Sequence, residues 1–374
     1  MIDHFPPVIC QEILFRLSPK CLIKCTLVSK SWRSMIKNQN FIRGHLSFNN
    51  RCGTPLLLLH CITRDSCHTY GYKVFINEDT PRHELYSLRH DNSAFHEYWA
   101  GGNIFVICNP LIRKLVTLPE PNISFESNNN ATIGFGFDAA TNDYKVVRLV
   151  PDDPKRKTFA EVYSLARGTW TDPRHVAGVS EMHACTPQAF VNGTLHWQAV
   201  RGPNGAGYHF ILTFDVGSES FSEIMMPESF TSSMLMRFQS QLSVTGDGKS
   251  IALFSRCPDF FIPANGVLDI WVMKEYGMPE SWTKLAAFRG IGPERSVLPK
   301  ALGFMKTGKL VLELVNEDVC RWFWLYTCPG HGLFSMDLVS QNFNYLGISG
   351  YKYNTIDSYE KSLVLLDVDN AVSY

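Results

Sequence analysis

Apolar and polar positions follow two different rules along this chain, and the rule changes near residue 47. Between Phe5 and Leu46 the apolar residues recur at helical spacing. Val8, Ile9, Ile13, Leu14 and Leu17 form one stripe behind Pro6 and Pro7, residues that can open a helix but not sit inside it. Ser18-Pro19 ends that helix and starts a short second one carrying Leu22 and Ile23: the serine caps and the proline takes the first helical position. A third helix carries Leu27, Val28, Trp32, Met35 and Ile36. Asn40 then reads as the cap of a last turn with Phe41, Ile42 and Leu46. A helical segment of roughly 45 residues is near the size below which a domain stops being stable alone. Its stripes therefore need a cover, either the rest of the chain or another protein.

After Ser47 the helical period disappears. Pro55–His60 is a short apolar run of strand length. Six strand–turn–strand units follow, with aliphatic first strands and frequent aromatics in the second: Lys73–Leu88, Ile104–Pro119, Glu161–Asp172, Ile211–Pro227, Leu268–Phe288 and Leu333–Ile348. Tighter hairpins alternate with them at 134–150, 189–200, 242–255 and 302–315, three of them marked by Asn192-Gly193, Asp247-Gly248 and Thr307-Gly308. One hairpin of each kind makes four strands. The spacing predicts a mainly β protein in which N-terminal helices precede a six-bladed β-propeller. The strand-like run Ser362–Asp367 is expected to close the ring by joining Pro55–His60 in the first blade, with Leu57 and Leu365 in one sheet. An open pair of β-sandwiches is the competing architecture. The domain boundary falls at 1–46 and 47–374.

Composition and charge add limits. Thirty-five basic and 35 acidic residues cancel, so overall charge points neither to nucleic acid nor to an anionic membrane as partner. The balance is uneven: residues 1–46 carry Arg16, Lys20, Lys24, Lys30, Arg33, Lys37 and Arg43 against Asp3 and Glu12. That basic surplus suits an acidic partner surface. Eleven cysteines lack framework spacing, and no basic-then-apolar leader opens the chain. Reduced thiols in a cytoplasmic or nuclear protein are expected, and the sequons at Asn122, Asn130 and Asn192 are expected to be unused.

The helical stretch resembles an F-box, the module that docks receptors on the Skp-type adaptor of SCF ubiquitin ligases. The resemblance is carried by Phe5-Pro6 (Leu-Pro in the family), Ile9, Glu12-Ile13-Leu14, Arg16-Leu17, Pro19 and Leu22, then Val28-Ser29-Lys30-Ser31-Trp32-Arg33, Ile36 and Phe41. It implies adaptor contacts by Phe5, Pro6, Ile9, Ile13, Leu14, Leu17, Pro19, Leu22, Val28 and Trp32. The remainder is similar to the F-box-associated, kelch-like propeller of plant F-box proteins, a group that includes S-locus and immune-regulating members. The matching stretches include Asn109-Pro110 with Leu118-Pro119, Gly134–Asp138 with Asp143–Val147, Val162–Leu165 with Trp170, Asn192-Gly193 with Leu195–Trp197, Phe214-Asp215, and Asp269–Met273 with Trp282. The resemblance implies a non-catalytic substrate receptor: it binds the adaptor and, through it, a cullin, and brings an unknown protein client for ubiquitination and degradation. An adaptor-sequestering protein, or a propeller enzyme of galactose-oxidase or sialidase type, is the alternative.

Motifs for chemistry of its own are thin. Gly134-Phe-Gly-Phe lacks the third glycine of a dinucleotide loop and reads as a hairpin pair. Gly202–Gly207 lacks the Lys-Ser/Thr of a phosphate loop. Ser164–Trp170 is similar to a sialidase Asp-box turn without its aspartate. Cys320, Cys328 and His331, like Cys61, Cys67 and His68, fit no zinc spacing. No cofactor is expected. Two inserts with clustered aromatics and arginine, 256–266 and 321–326, are candidate client contacts through Phe260, Phe261, Arg321 and Trp322.

Overall fold

Helix gives way to strand at Cys52 in the computed structural model. It describes residues 6–52, 56–62, 70–76, 82–87, 105–123, 131–152, 157–182, 188–202, 208–227, 240–257, 267–289, 299–314, 332–349, 352–359, 361–368 and 370–373. The helices are α1 (Pro7–Phe15), α2 (Pro19–Cys25), α3 (Lys30–Ile36) and α4 (Gln39–Cys52). The strands begin with β1 (Leu56–Ile62), β2 (Tyr70–Ile76), β3 (Arg82–Ser87), β4 (Val106–Asn109) and β5 (Lys114–Thr117). Then come β6 (Thr132–Asp138), β7 (Asp143–Asp152), β8 (Lys157–Ser164), β9 (Thr169–Trp170) and β10 (Arg174–Val176). They continue with β11 (Glu181–Met182), β12 (Ala189–Val191), β13 (Thr194–Arg201), β14 (Tyr208–Asp215) and β15 (Ser220–Met225). The rest are β16 (Ser240–Val244), β17 (Ile251–Cys257), β18 (Val267–Met273), β19 (Trp282–Arg289), β20 (Lys300–Phe304), β21 (Leu310–Leu314), β22 (Gly332–Met336), β23 (Phe343–Ser349), β24 (Lys352–Tyr359) and β25 (Val372–Ser373).

The caps read from the sequence hold for α2, where Ser18 Oγ accepts from Cys21 N–H at 3.4 Å. For α4 the cap is Asn38, not Asn40: Asn38 Oδ1 accepts from Asn40 N–H at 2.9 Å. The helix also passes residue 46, because Asn49 reaches back one turn to His45 Nδ1 at 3.1 Å.

Every predicted strand–turn–strand unit pairs as a hairpin, and so does each of the four tighter ones. Among the described residues the strands form five blades of four or five strands: β24-β1-β2-β3, β6 to β10, β11 to β15, β16 to β19, and β20 to β23. A further sheet, β25-β5-β4, has three. Six blades closed by Ser362–Asp367 are therefore a misreading. Leu57 pairs with Ser358 of β24, while Leu365 lies outside any sheet in the left-handed region at φ 76°. A continuous apolar run is ambiguous by periodicity alone. Here Leu363, Leu365 and Leu366 are apolar because a turn is buried between two cores, not because a strand is.

Close approaches order the blades. A Cβ on Gly134 of β6 would collide with the Trp197 ring of the next blade, and one on Gly303 of β20 would lie 2.7 Å from Ile356 of β24. Gly134 and Gly136 are thus strand glycines that leave room for the neighbouring blade's Trp197 and Phe190, not turn residues. In each antiparallel blade the first and third strands run parallel. The turns after them therefore share one edge of the sheet.

Five turns share a chemistry as well. Asp138 accepts from Ala140 and Thr141 N–H, Asp215 from Ser218 N–H, and Asp337 from Val339 and Ser340 N–H. Four residues on, Asn142, Glu219 and Gln341 take positive φ. Asn109 caps Leu111 N–H in the same way and is followed by Arg113 at φ 52°. In the turn that lacks the aspartate, Ser164 Oγ takes its place by accepting from Arg167 N–H at 3.0 Å, before Gly168 at φ 72°.

Candidate partner-binding surface

Helix α1 is apolar on two faces, and the described residues cover only one. Cys10 and Leu14 point inward, with Leu14 wholly buried beside Leu22, Ile36, Phe41 and Ile42. Val8, Ile9 and Ile13 face out, 71%, 46% and 48% exposed. The turn after α2 adds Leu27 and Val28, 77% and 60% exposed. Apolar side chains on the outer face of an amphipathic helix are the unusual observation here, which makes the outer face of α1 the candidate partner-binding surface. Arg16, Lys20, Lys24, Lys30, Arg33, Lys37 and Arg43 are all exposed in the helical segment. Arg33 Nε donates to Thr26 O at 3.1 Å, and Ser29 Oγ caps Trp32 N–H at 3.1 Å, which together fix the turn presenting Leu27 and Val28.

Of the residues expected at the adaptor contact, Pro6, Ile9, Ile13 and Val28 are exposed, and Leu17 and Trp32 are half-buried. Phe5 lies outside the described residues. Leu14, Pro19 and Leu22 are buried, so they build the core on which the surface stands and do not form that surface. The stripe read from the sequence mixed two faces. Cys10, Leu14 and Leu17 lie three or four residues apart on one side, whereas Val8 of α1 and Leu27 in the turn after α2, neither among the expected contacts, are the most exposed large apolar residues of the described helical segment. Helical spacing alone could have separated Val8 from Leu14. The exposure of Leu27 depends on where α2 ends.

Electrostatics within the helices is local. Burial lowers the His45 pKa, and its Nε2 meets Leu17 O at 2.8 Å. Burial raises the Cys25 thiol, helped by the neighbouring Cys21. In the propeller, the turn aspartates are held ionised: the Thr141 hydroxyl lowers Asp138, and turn amides lower Asp215 and Asp337. Among the described residues no group of three metal-ligating side chains occurs.

The turns form a belt. Arg167 reaches Glu219 of the next blade at 3.4 Å. Lys145 holds Asp138 at 3.3 Å, Glu219 at 2.9 Å and Val216 O at 2.8 Å. Asn192 Nδ2 donates to Lys249 O at 3.1 Å, and a Cβ on Gly246 would lie 2.6 Å from Met305 O. The helices dock on this edge, since Ile112 in the Asn109 turn belongs to their core. Phe260 and Phe261, between β17 and β18, and Arg321 and Trp322, between β21 and β22, lie outside the described residues. Both segments join a second strand to a third, so the chain enters them from the sheet ends opposite the belt.

Residues 70–362 match the family described as "F-box associated beta propeller domain". The chain belongs to that family. Residues 2–44 match the F-box domain, which makes α1 to α3 and the start of α4 the F-box. F-box protein CPR1 of Arabidopsis thaliana is 25% identical over 358 residues, covering 85% of this chain and 81% of that one. F-box/kelch-repeat protein At3g23880 of the same plant is 25% identical over 316 residues, covering 77% and 80%. Among solved structures, a puromycin hydrolase S511A mutant aligns at TM-score 0.37 and 12% identity over 78% of this chain and 39% of that one, too distant to carry an argument.

Proposed function

We propose that this F-box protein is the substrate-recognition subunit of an SCF-type ubiquitin ligase. The observation that carries the reading is the outer face of α1, apolar and uncovered above a complete core. A Skp-type adaptor would cover Val8, Ile9, Ile13, Leu27 and Val28, and would link the receptor to a cullin. The basic rim suits an acidic adaptor surface. The propeller would hold a protein client, with Phe260, Phe261, Arg321 and Trp322 as candidate contacts. Its contribution to ubiquitination is positional, raising the local concentration of client lysines at the charged enzyme. Degradation of the client follows from that role, and the compartment is the cytoplasm, the nucleus or both. In this reading catalysis belongs to the assembled ligase and not to this chain.

The test is co-purification with a Skp-type adaptor. Ile9→Asp with Val28→Asp places two charges in the apolar interface and should abolish capture while thermal unfolding stays unchanged. Capture at wild-type strength by that double variant refutes the reading.

A further inference from the structure

Near its end the chain crosses from one core to the other within a few residues. Leu363 is wholly buried in the F-box core with Leu14, Leu22, Ile36 and Phe41, and Leu366 joins it there. Leu365, 1% exposed, belongs to the propeller core with Val116, Val146 and Tyr163. Val364 touches both. Two residues of extended chain span only about 7 Å, so sliding one core against the other drags a leucine out of one of them. The backbone supports this geometry at a conformational cost, because Leu365 sits at φ 76° and a branched residue adopts that region only where its surroundings dictate it.

Polar contacts dictate it. Asn109 Nδ2 donates to Ser362 O at 3.1 Å and to Val364 O at 2.9 Å, gripping the turn on both sides of Leu363. Asn49 Nδ2, at the far end of α4, donates to Lys361 O at 3.4 Å. Its neighbour His45 continues the link to Leu17 O at the end of α1. Beyond the turn, Lys114 Nζ donates to Ala371 O at 3.1 Å, and β25 pairs with β5 through Val372 and Leu115. The segment is tied down before, within and after its leucines.

We infer that residues 361–368 are a clamp that locks the F-box and the propeller into one rigid body, with Asn109, Leu363 and Leu365 as positioning residues for ubiquitin transfer. This deepens the receptor reading and rests on it for the word transfer, but the rigidity itself does not. A receptor works by holding client lysines within reach of the charged enzyme. A hinge between adaptor and client modules would dilute that local concentration, and the clamp removes the hinge.

The experiment uses the full chain with spin-labelled non-natural residues at Lys37 on the F-box and Lys306 on the propeller, both exposed. Pulsed dipolar spectroscopy then reads the distance between them, with and without a Skp-type adaptor. Wild type should give one narrow distance. Asn109→Ala and Leu363→Asp should each lose it to a broad distribution, with propeller unfolding still cooperative. In Asn109→Ala, adaptor capture should persist while client ubiquitination falls. A distance that stays narrow in Asn109→Ala and in any folded Leu363 variant overturns the clamp, as does a broad distance in wild type. Failure of wild type to capture the adaptor sinks the receptor reading instead and leaves the distance result standing.

Discussion

Trp282 donates its indole N–H to the carbonyl of Met225 at 3.0 Å, and so ties the start of the outermost strand of one blade to the end of the outermost strand of the preceding blade. Trp170 repeats the contact on Pro119 at 2.8 Å, between blade β6 to β10 and the three-stranded sheet before it. Replacing either tryptophan by phenylalanine keeps the ring and removes the bond. Each should lower stability by about 0.5–1.5 kcal/mol. The two losses should add, because the sites share no partner. Urea denaturation of the singles and the double checks this.

The two faces of α1 predict opposite outcomes for neighbouring residues. Leu14→Ala removes a wholly buried side chain and should cost about 2–5 kcal/mol. Ile13→Ala, half exposed, should leave stability within about 0.5 kcal/mol and weaken adaptor capture. Thermal unfolding beside a pull-down separates them. Equal destabilisation by both would mean that α1 is not seated as described.

His196 links two blades through Tyr276, with Nε2 and the hydroxyl 2.9 Å apart. Burial pushes its pKa from 6.5 down to about 4. Between those values the unfolded chain binds a proton that the folded chain refuses, so stability falls as pH drops across that window. The slope contributed by this residue is at most about 1.4 kcal/mol per pH unit, and it vanishes above the window. His196→Gln should flatten the acid side of a plot of denaturation midpoint against pH, leaving the smaller contribution of His45, which burial shifts in the same direction.

Arg148 and Glu161 form an ion pair with both side chains fully buried, and Glu161 also accepts from Asn122 N–H at 2.9 Å. Glu161→Ala strands the guanidinium and should cost about 3–5 kcal/mol. Arg148→Met combined with Glu161→Leu should recover most of that loss, because the desolvation penalty goes with the charges. Recovery is read from the unfolding midpoint.

The missing aspartate of the Ser164 turn has a reason. Ser164 Oγ donates to Asp143 Oδ2, which already occupies that corner. Ser164→Asp, although it restores the motif used by the other turns, should destabilise the fold by roughly 1 kcal/mol or more through like-charge repulsion.

Much of this was legible from residue order. Alternation and turn dipeptides located the hairpins, and Ser18-Pro19 located a helix start. What was not legible depended on three-dimensional neighbours. Leu14 and Ile13 look equivalent in a stripe, and only the seat of α1 on Phe41 and Ile42 tells core from surface. Ser362–Asp367 looks like a strand because leucines serve two cores as well as they serve a sheet. The blade count failed because hairpins can be counted in a sequence, whereas the strand pairing that completes a blade cannot. Sequence spacing thus could not separate the exposed Ile9, Ile13 and Val28 from the buried Leu14 and Leu22, while the candidate client residues stayed at the level of composition.

Leu14 and Leu22 enter the world early in synthesis, and Leu363, which shares their core, arrives almost last. The first strand likewise waits for Lys352–Tyr359. Chains emerge N-terminus first and fold by domains as they appear. Here neither module can finish until residues 352–366 have left the ribosome. A prematurely terminated product lacking this region has an open ring and an unsealed F-box core at once.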